Sequence, residues 1–579
     1  MGHPPKFQTP LIAAFFVCAL VISSCQQTTT ITELASNSCD VDHISISSVQ
    51  GEEDVSPMLG QNPTIVGTVT LLDPPHGLYM EQDKADDSDL TSNGIFVSSP
   101  ELASAVAQGD RLVISGLVAE IGNNKNTVTS ITNLNGFRVC ASYQSLPASS
   151  VSLPLTGKQR EALEGMHLRI EQQMVITDAY KAAQGLQTVN LGNLMPIPTE
   201  VARPGADARA QAAKNRLTSL NIERMDGSVD ILPAGTRLAS LNGVLGHDGN
   251  GLRLIQIEAL RVIPSNLSPL AASEEYEIRI IGINLLNYFN GDGKGGGFPT
   301  PRGAKTPKDF SKQRGRLSAT IKYASPHIVA VMELENDGFD EFSAARDFIE
   351  DLENATDHRW ELVQVDGTVG GDVIGVGLFY RPDLLAPAGP AQLLKTPEFE
   401  RLSRVPLAQT FVEIGSGESF LVVVNHLKSK GSCPADGRNT DLKDGQGCWN
   451  VARTQAAGKM AKWSKLIAAA SGGKALILGD MNAYRMEEPI TAIIEAGFKD
   501  LKATADIGFE YSYIYGGAAG SLDHAFASPQ LRPFVRSTRI LHINAGYPPG
   551  VELPQPWLRS SDHDPVVVDL RFRHSATLD

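Results

Sequence analysis

Asn284 in GINLLNYF, Glu333 in VMELEN, Asp372 in GGDVIGV, Arg404 in SRVPLAQTF and His426 in NHLKSKG are set along the second half of a 579-residue chain. Asp480 and Asn482 in ILGDMNAY, Asp523 in SLDHAF, and Asp562 with His563 in SSDHDP follow them. Hard oxygen donors, two imidazoles and a guanidinium are the parts needed to hold a divalent cation and attack a phosphate ester. Each has a plainer account when taken alone: an asparagine at a strand end is usually a cap, and an Asp-His pair a turn that satisfies itself. Recurrence is what favours a site, because structural accidents would not repeat at so many strand ends. His327, His524 and His542 are assigned to structure, and Glu335 to a solvated neighbour of Glu333.

The elements that must position these residues are runs of buried strand: YEIRIIGINLL, HIVAVMEL, VIGVGLFY, FLVVVNHL, ALILGDM, LDHAFAS and DPVVVDLRF. They alternate with helical segments, KDFSKQRGRLSATIKYA and WNVARTQAAGKMAKWSKLIAAA. That rhythm predicts an α/β layered domain, sheets covered by helices, over residues 276–573.

In this order the motifs LGDMNAY, SLDHA and SSDHDPV resemble the endonuclease/exonuclease/phosphatase family, which includes deoxyribonuclease I. Together with NYF, NHLKSKG and DGQGCWN they most resemble bacterial extracellular nucleases of that family. The resemblance covers Tyr276 to Phe572, and more loosely Ile44 to Cys140. It implies a four-layer α/β sandwich, deoxyribonuclease I-like, in which Glu333 is the principal metal carboxylate with Asn284 beside it and Asp562 completing the metal or water shell. Mg²⁺ or Mn²⁺ is the implied cation, with Ca²⁺ a further candidate. Asp480 and Asn482, two apart and so pointing the same way, would hold the attacking water or a second cation. His563 would be the base that activates water, oriented by Asp523. His426 would donate to the phosphate or the leaving group, aligned by Asp372, and Arg404 would grip a nonbridging oxygen. The implied reaction is in-line attack of water at phosphorus, leaving a 5′-phosphate and a 3′-hydroxyl.

Upstream, TIVGTVTLL, NGIFVSS, DRLVISGLVAEI, NTVTSITNL and FRVCAS alternate with Gly/Asn/Asp turns and predict a small barrel or sandwich over residues 40–145. Its order resembles the OB-fold-like domain in front of the nuclease domain in those bacterial enzymes. Such folds bind single-stranded nucleic acid through aromatics and a basic groove, whereas Asp and Glu dominate LYMEQDKADDSDL here, so binding and a spacer role stand even. Residues 150–265 read as a second β-rich region, with strands in MHLRIEQQMVITD and TRLASLNGVLGHDGNGLRLIQIEALRV around a helix-prone insert, PGADARAQAAKNRLTSLN. PSNLSPLAASEE, Pro264 to Glu275, reads as a linker.

A net charge of −15 argues against a protein that coats nucleic acid nonspecifically, since that mode displaces counterions with many basic groups. A local excess remains in GDGKGGGFPTPRGAKTPKDFSKQRGRL, from Lys294 to Arg316, either tracking phosphates or forming a solvated face. The apolar LIAAFFVCALVISSC after Lys6 has signal-peptide length. Its ISSC end resembles a bacterial lipobox, implying cleavage before Cys25, acylation of that thiol and, with Gln26 next, the outer membrane; plain secretion is the alternative. Cys39, Cys140, Cys433 and Cys448 then form an even set in an oxidising compartment. Cys433 with Cys448 would close the polar loop PADGRNTDLKDGQG, and Cys39 with Cys140 would tie the ends of the first unit. No CxxC spacing supports zinc. Asp436 to Asp444 offers acids to Ca²⁺ without EF-hand spacing.

The sequence therefore leads to an exported or surface-anchored, monomeric, metal-dependent nuclease acting on extracellular DNA or RNA. A phosphodiesterase or phosphatase of the same fold acting on phospholipid or inositol head groups, and a nucleic-acid-binding surface module without catalysis, are the competing expectations.

Overall fold

The computed structural model describes residues 40–123, 126–224, 232–247, 252–264, 277–501 and 509–572. The leader, Cys25, Cys39 and the linker beyond Pro264 lie outside the described residues.

Five strands, Thr64–Asp73, Gly77–Glu81, Gly94–Val97, Arg111–Asn123 and Asn126–Ala141, close into a barrel. The first pairs with the fourth, and the third runs parallel to the fifth. The sequence reading differs in two places. NTVTSITNL and FRVCAS are one long strand, bent by a register shift opposite Ser115 and Leu117. The remaining barrel strand is GLYME, read above as part of an acidic segment. Its alternation sends Leu78 and Met80 into the barrel core, while Tyr79 packs on Val244 and Ile255 of the next unit.

That next unit is a nine-stranded sheet. Its helix, Ala206–Thr218, stands where the polar insert predicts one, and two strands the sequence reading passes over, Leu186–Leu191 and Ser219–Arg224, pair side by side within it. Leu71, Tyr79, Phe96 and Val128 of the barrel share a cluster with Val244 and Ile255, so the two β units are packed together.

The C-terminal domain has four layers. A six-stranded sheet runs in the order Glu361–Leu362, Ile374–Tyr380, Ile328–Glu335, Ile278–Tyr288, Val566–Leu570, Val535–Ile540. A second sheet runs Leu385–Pro387, Arg404–Glu413, Ser419–His426, Ala475–Asp480, Asp523–Ala527, Lys499–Asp500, with Gln392–Leu393 pairing on Arg404–Glu413. Ile280, Met332, Leu378, Val422, Leu478 and Val568 fill the space between the sheets. Burying a side chain of this size contributes about 1.5–3 kcal/mol, which is why these strands read as nearly unbroken apolar runs.

Helices cover the two outer faces. Pro307–Ala324 starts at Thr306, whose hydroxyl accepts the Asp309 amide at 3.2 Å, and presents Phe310, Leu317 and Ile321 to the first sheet beside Ala344–Thr356. Asn450–Ile467 lays Ala456, Ala457, Met460 and Ala461 on the second sheet beside Glu488–Glu495. Small residues on that helix let it approach the strands closely.

Cys433 and Cys448 form the expected disulfide, with Cα atoms 5.4 Å apart. Cys140 lies next to the end of the last barrel strand, whereas its expected partner Cys39 is outside the described residues. A Cys433→Ser/Cys448→Ser protein is expected to lose about 3 kcal/mol from the opened loop, a fall in Tm of roughly 6–12 °C for the C-terminal domain. Scanning calorimetry with and without reductant checks this, and equal melting would show that the loop does not need its bridge.

Candidate active site

Four site residues lie in one lateral row of the second sheet. Arg404 pairs in register with His426, His426 with Asp480, and Asp480 with Asp523, across four neighbouring strands. Register partners project from the same face, about 4.8 Å from strand to strand, so the row brings a guanidinium, an imidazole and two carboxylates to one edge. From Asp523 the row is continued by His563, whose Nδ1 lies 2.7 Å from Asp523 Oδ2. Ser512 donates its hydroxyl to the same oxygen at 2.6 Å and accepts the Leu522 and Asp523 amides, which fixes the carboxylate in place.

The first sheet contributes Asn284 and Glu333 from adjacent strands. Glu333 sits in a register shift between Met332 and Leu334 with φ 61°, a left-handed conformation that is costly for a residue with a Cβ. The irregularity turns its side chain to the lip, where Oε2 accepts the Asn287 amide at 3.0 Å. Asn284 spends its Oδ1 on the Leu286 amide at 2.9 Å. Asn482 is likewise left-handed, at φ 47°. Its amide nitrogen donates to the Leu427 carbonyl at 3.1 Å and its backbone N–H to Asp480 Oδ1 at 2.8 Å, so it ties the end of the His426 strand to the end of the Asp480 strand.

Asp372 does not align His426. Its half-exposed carboxylate faces Arg404, with Oδ2 3.4 Å from Nε, and the acid beside His426 is Asp480, 3.4 Å from Nε2. The reason is the register: Arg404 stands opposite His426 and takes the charge arriving from the Asp372 loop. Nδ1 of His426 is buried with no hydrogen-bond partner, and so is Nε of Arg404, whose contact with Asp372 is an ion pair without hydrogen-bond alignment.

The two imidazoles sit in opposite fields. Burial holds His426 well below the usual histidine range, with Arg404, His563 and Arg302 adding to it. Burial opposes the charge on His563 as well, yet the carboxylates of Asp523, Asp480 and Asp562 outweigh it and hold that ring well above the usual range. Burial also drives Asp480 upward, and Asp523 adds to this while His563 opposes it.

Asp480, Asp523 and His563 form the group whose ligand atoms lie within 4.8 Å of one another among the described residues. The donor types fit a hard divalent cation. Nδ1 of His563 cannot both donate to Asp523 and ligate a metal, so the oxygens left for a cation are those of Asp480 and Oδ1 of Asp523, which is buried without a hydrogen-bond partner. The expected ligands Glu333, Asn284 and Asp562 are outside this group. Glu333 stays close enough for its charge to act on Asp480 and Arg404, while Asp562 acts on His563, Arg559 and Tyr513. Asp441 and Asp444 of the disulfide loop spend their oxygens on Lys443 and Gln446, which argues against a Ca²⁺ loop there.

The basic run divides. Arg314 pairs with Asp351 at 2.7 Å and Lys294 lies over the Phe342 ring, whereas the charge of Arg302 reaches His426 and Arg404. Glu335 is no solvated bystander: it accepts the Asn290 amide at 3.1 Å, and burial together with Asp337 raises it to about 7.

Several supporting residues escape sequence reading because their partners are remote. His524 joins the loop after Asp480 to the loop before Asp523 through Nε2, 3.0 Å from the Ala483 carbonyl and 2.8 Å from that of Ser521. Asp564 collects the Ile543, Asn544 and Ala545 amides, and Asn544 donates to the His563 carbonyl. The second β unit also reaches in. Buried Glu200 accepts the Ser521 amide at 3.0 Å beside Arg485, Thr199 donates to Glu487 at 2.7 Å, and Thr177 donates to the Gly517 carbonyl at 2.6 Å.

Two facing sheets thus bring an Arg/His/Asp/Asp row to one edge. Residues 288–563 match the Endonuclease/Exonuclease/phosphatase family, and the C-terminal half is a domain of that family with a buried Asp/Asp/His candidate metal group. No curated protein is similar enough to the chain to count as a match. Among solved structures, an endonuclease/exonuclease/phosphatase family protein from Bacteroides thetaiotaomicron is 16% identical, over 51% of this chain and 97% of that one, with a TM-score of 0.35. The human Nocturnin catalytic domain is 17% identical, over 51% and 94%, with a TM-score of 0.34. A mannosyl-6-phosphatase from Bacteroides thetaiotaomicron is 18% identical, over 51% and 100%, with a TM-score of 0.35.

Glu200 yields a pH prediction. Burial raises its carboxyl to about 8 from an ordinary 4.5, so the neutral form is favoured by folding. The stability it contributes is complete below pH 4.5 and is lost as pH rises through about 8. Glu200→Gln, which stays neutral, is expected to melt with a smaller fall in Tm between pH 5 and 9 than the parent. Parallel melting profiles would overturn the assignment.

Proposed function

We propose that the C-terminal domain is a divalent-metal-dependent phosphodiesterase that hydrolyses extracellular nucleic acid, DNA foremost, leaving 5′-phosphates. What supports this best is the lateral row Arg404, His426, Asp480, Asp523, with His563 bonded to its end. It grades from cationic to anionic, as a site must that grips phosphate oxygens at one side and handles a water proton at the other. A divalent cation held by the Asp480 and Asp523 oxygens, with Glu333 across the lip, would supply charge neutralisation at the phosphate.

In this reading Arg404 holds a nonbridging oxygen, its charge undiminished because guanidinium does not titrate in this range. His426, kept neutral by burial and Arg404, donates an N–H hydrogen bond to the phosphate or to the departing oxygen, and that oxygen takes its proton from water as it leaves. His563 receives the proton of the attacking water. Asp523 fixes Nδ1 as the protonated nitrogen, which leaves Nε2 to accept. The barrel, with its five strands and the helix Pro100–Ala105 between the third and fourth, supports the OB-fold-like expectation. We further propose export as a lipoprotein acylated on Cys25 and acting as a monomer at the outer membrane or cell surface; loss of membrane association in a Cys25→Ser precursor tests it.

The direct test is a time course on plasmid, linear and single-stranded DNA, RNA, and inositol and phospholipid head-group esters, with Mg²⁺, Mn²⁺ or Ca²⁺ and with EDTA. Nucleic-acid cleavage that EDTA abolishes is expected, with His563→Ala and His426→Ala each slower by about 10²–10⁴-fold. Turnover of head-group esters alone, or near-normal rates in either variant, would refute the assignment.

The His563 environment adds a pH signature. Carboxylates that raise its proton affinity also delay its deprotonation, so kcat/KM is expected to climb toward alkaline pH. Asp523→Asn removes the strongest of these charges, and should move that limb to lower pH while cutting kcat; a limb that stays put would exclude His563 as the base.

A further inference from the structure

A groove of about 490 Å³ opens between the second β unit and the hairpin formed by Tyr513–Tyr515 and Ala518–Gly520. Tyr180 and Lys181 stand on one wall, and Tyr513 and Tyr515 on the other, with Thr188 and Arg253 between them. Tyr180 and Tyr515 are 62% and 69% exposed, an uncommon state for two large rings that face one concavity. Tyr513 connects the groove to the catalytic centre, since its ring packs on that of His563 at 4.6 Å between centroids. Strand alternation puts Tyr513 and Tyr515 on one face, so the aromatic surface runs outward from the imidazole.

The walls are fixed to each other. Thr177 donates to the Gly517 carbonyl at 2.6 Å, Ala519 donates to Met195 and Ile197 to Ala519, each at 2.8 Å, and Val175 and Leu194 share a cluster with Tyr511 and Ala519. Arg253 is held by Glu223, while Lys181 is exposed at the rim. A rigid cleft with exposed rings, a cation at its rim and a ring against the reacting histidine is suited to planar groups on an anionic backbone.

We propose that this groove is a nucleobase subsite of the catalytic centre. Bases flanking the scissile phosphate, taken out of a duplex or already single-stranded, stack on Tyr180 and Tyr515 with Lys181 beside their phosphates. The inference rests on the phosphodiesterase reading above and adds to it: substrate is held by both the catalytic domain and the second β unit, and unpaired strands are preferred, because a duplex keeps its base faces stacked on one another.

Steady-state kinetics on single-stranded DNA and RNA oligonucleotides of one sequence, on the matching duplex, and on an abasic deoxyribose phosphodiester dimer, a small diester without any aromatic ring, test this. Tyr180→Ala and Tyr515→Ala alter solvent-facing side chains and should keep the fold. Each is expected to raise KM for single strands at least about fivefold, with the Phe variants near the parent and the small diester unaffected. KM values unchanged on both oligonucleotides, or equal losses on oligonucleotide and small diester, would overturn the subsite while leaving the nuclease intact. A parent protein that hydrolyses the small diester but no oligonucleotide would mark failure of the underlying reading instead, and the subsite would fall with it.

Discussion

Asp480 can stand between His426 and Asp523 only while four neighbouring strands keep a single register. Side chains alternate with a period of two, so a slip of one residue in any of these strands would send its functional group into the opposite layer and bring an apolar side chain to the lip. What forbids the slip is burial on both faces. Val422, Val424, Leu476 and Leu478 fill the space between the sheets, while Leu421, Val423, Ala475 and Ile477 meet the helices outside. Displacing either set would cost several buried side chains at about 1.5–3 kcal/mol each. Catalytic geometry is thus inherited from core packing, and the polar residues occupy the strand ends, where the cores have stopped.

Register alone does not aim the side chains. The strand carrying Glu333 shifts register at Met332/Leu334, the one carrying Asn284 shifts before Tyr288, and the one beginning at Arg404 shifts before Leu407. Three irregularities at one edge leave open backbone where a regular ladder would close. Segments from elsewhere complete the edge: Ser512 sets the Asp523 carboxylate, and the second β unit pins the stretch before it through Glu200 and Thr177. A unit without catalytic residues of its own therefore helps shape the centre, because the two loops it grips carry the residues next to Asp480 and Asp523.

The strands and the chemical residues of the C-terminal half were legible because both signals are local. An apolar run of strand length ending in Asp, Asn or His carries its meaning within ten residues or so. Partnership was not. Chemical type alone matches Asp372 to His426, and the structure gives it to Arg404 since cross-strand register decides who is adjacent. The Glu200 contact with Ser521 spans 321 positions and leaves no trace in either motif. GLYME was missed for a different reason: its glutamate and the acidic residues after it mask an alternation only two apolar residues deep, and closure of the barrel makes it a strand.

The contrast between the two histidines follows from where each stands in the row. His426 is flanked by Arg404 and enclosed by strands, and burial together with the neighbouring cations outweighs the Asp480 carboxylate 3.4 Å away, so the ring is kept neutral. His563 lies past the other end, against Asp523 with Asp480 and Asp562 near, and there charging is favoured despite equal burial. Two chemically identical side chains acquire opposite proton affinities through their order between a guanidinium and a set of carboxylates. In the proposed reaction a phosphodiester laid along the row would meet a neutral donor at one end and, at the other, a ring that accepts a proton only after it has lost its own.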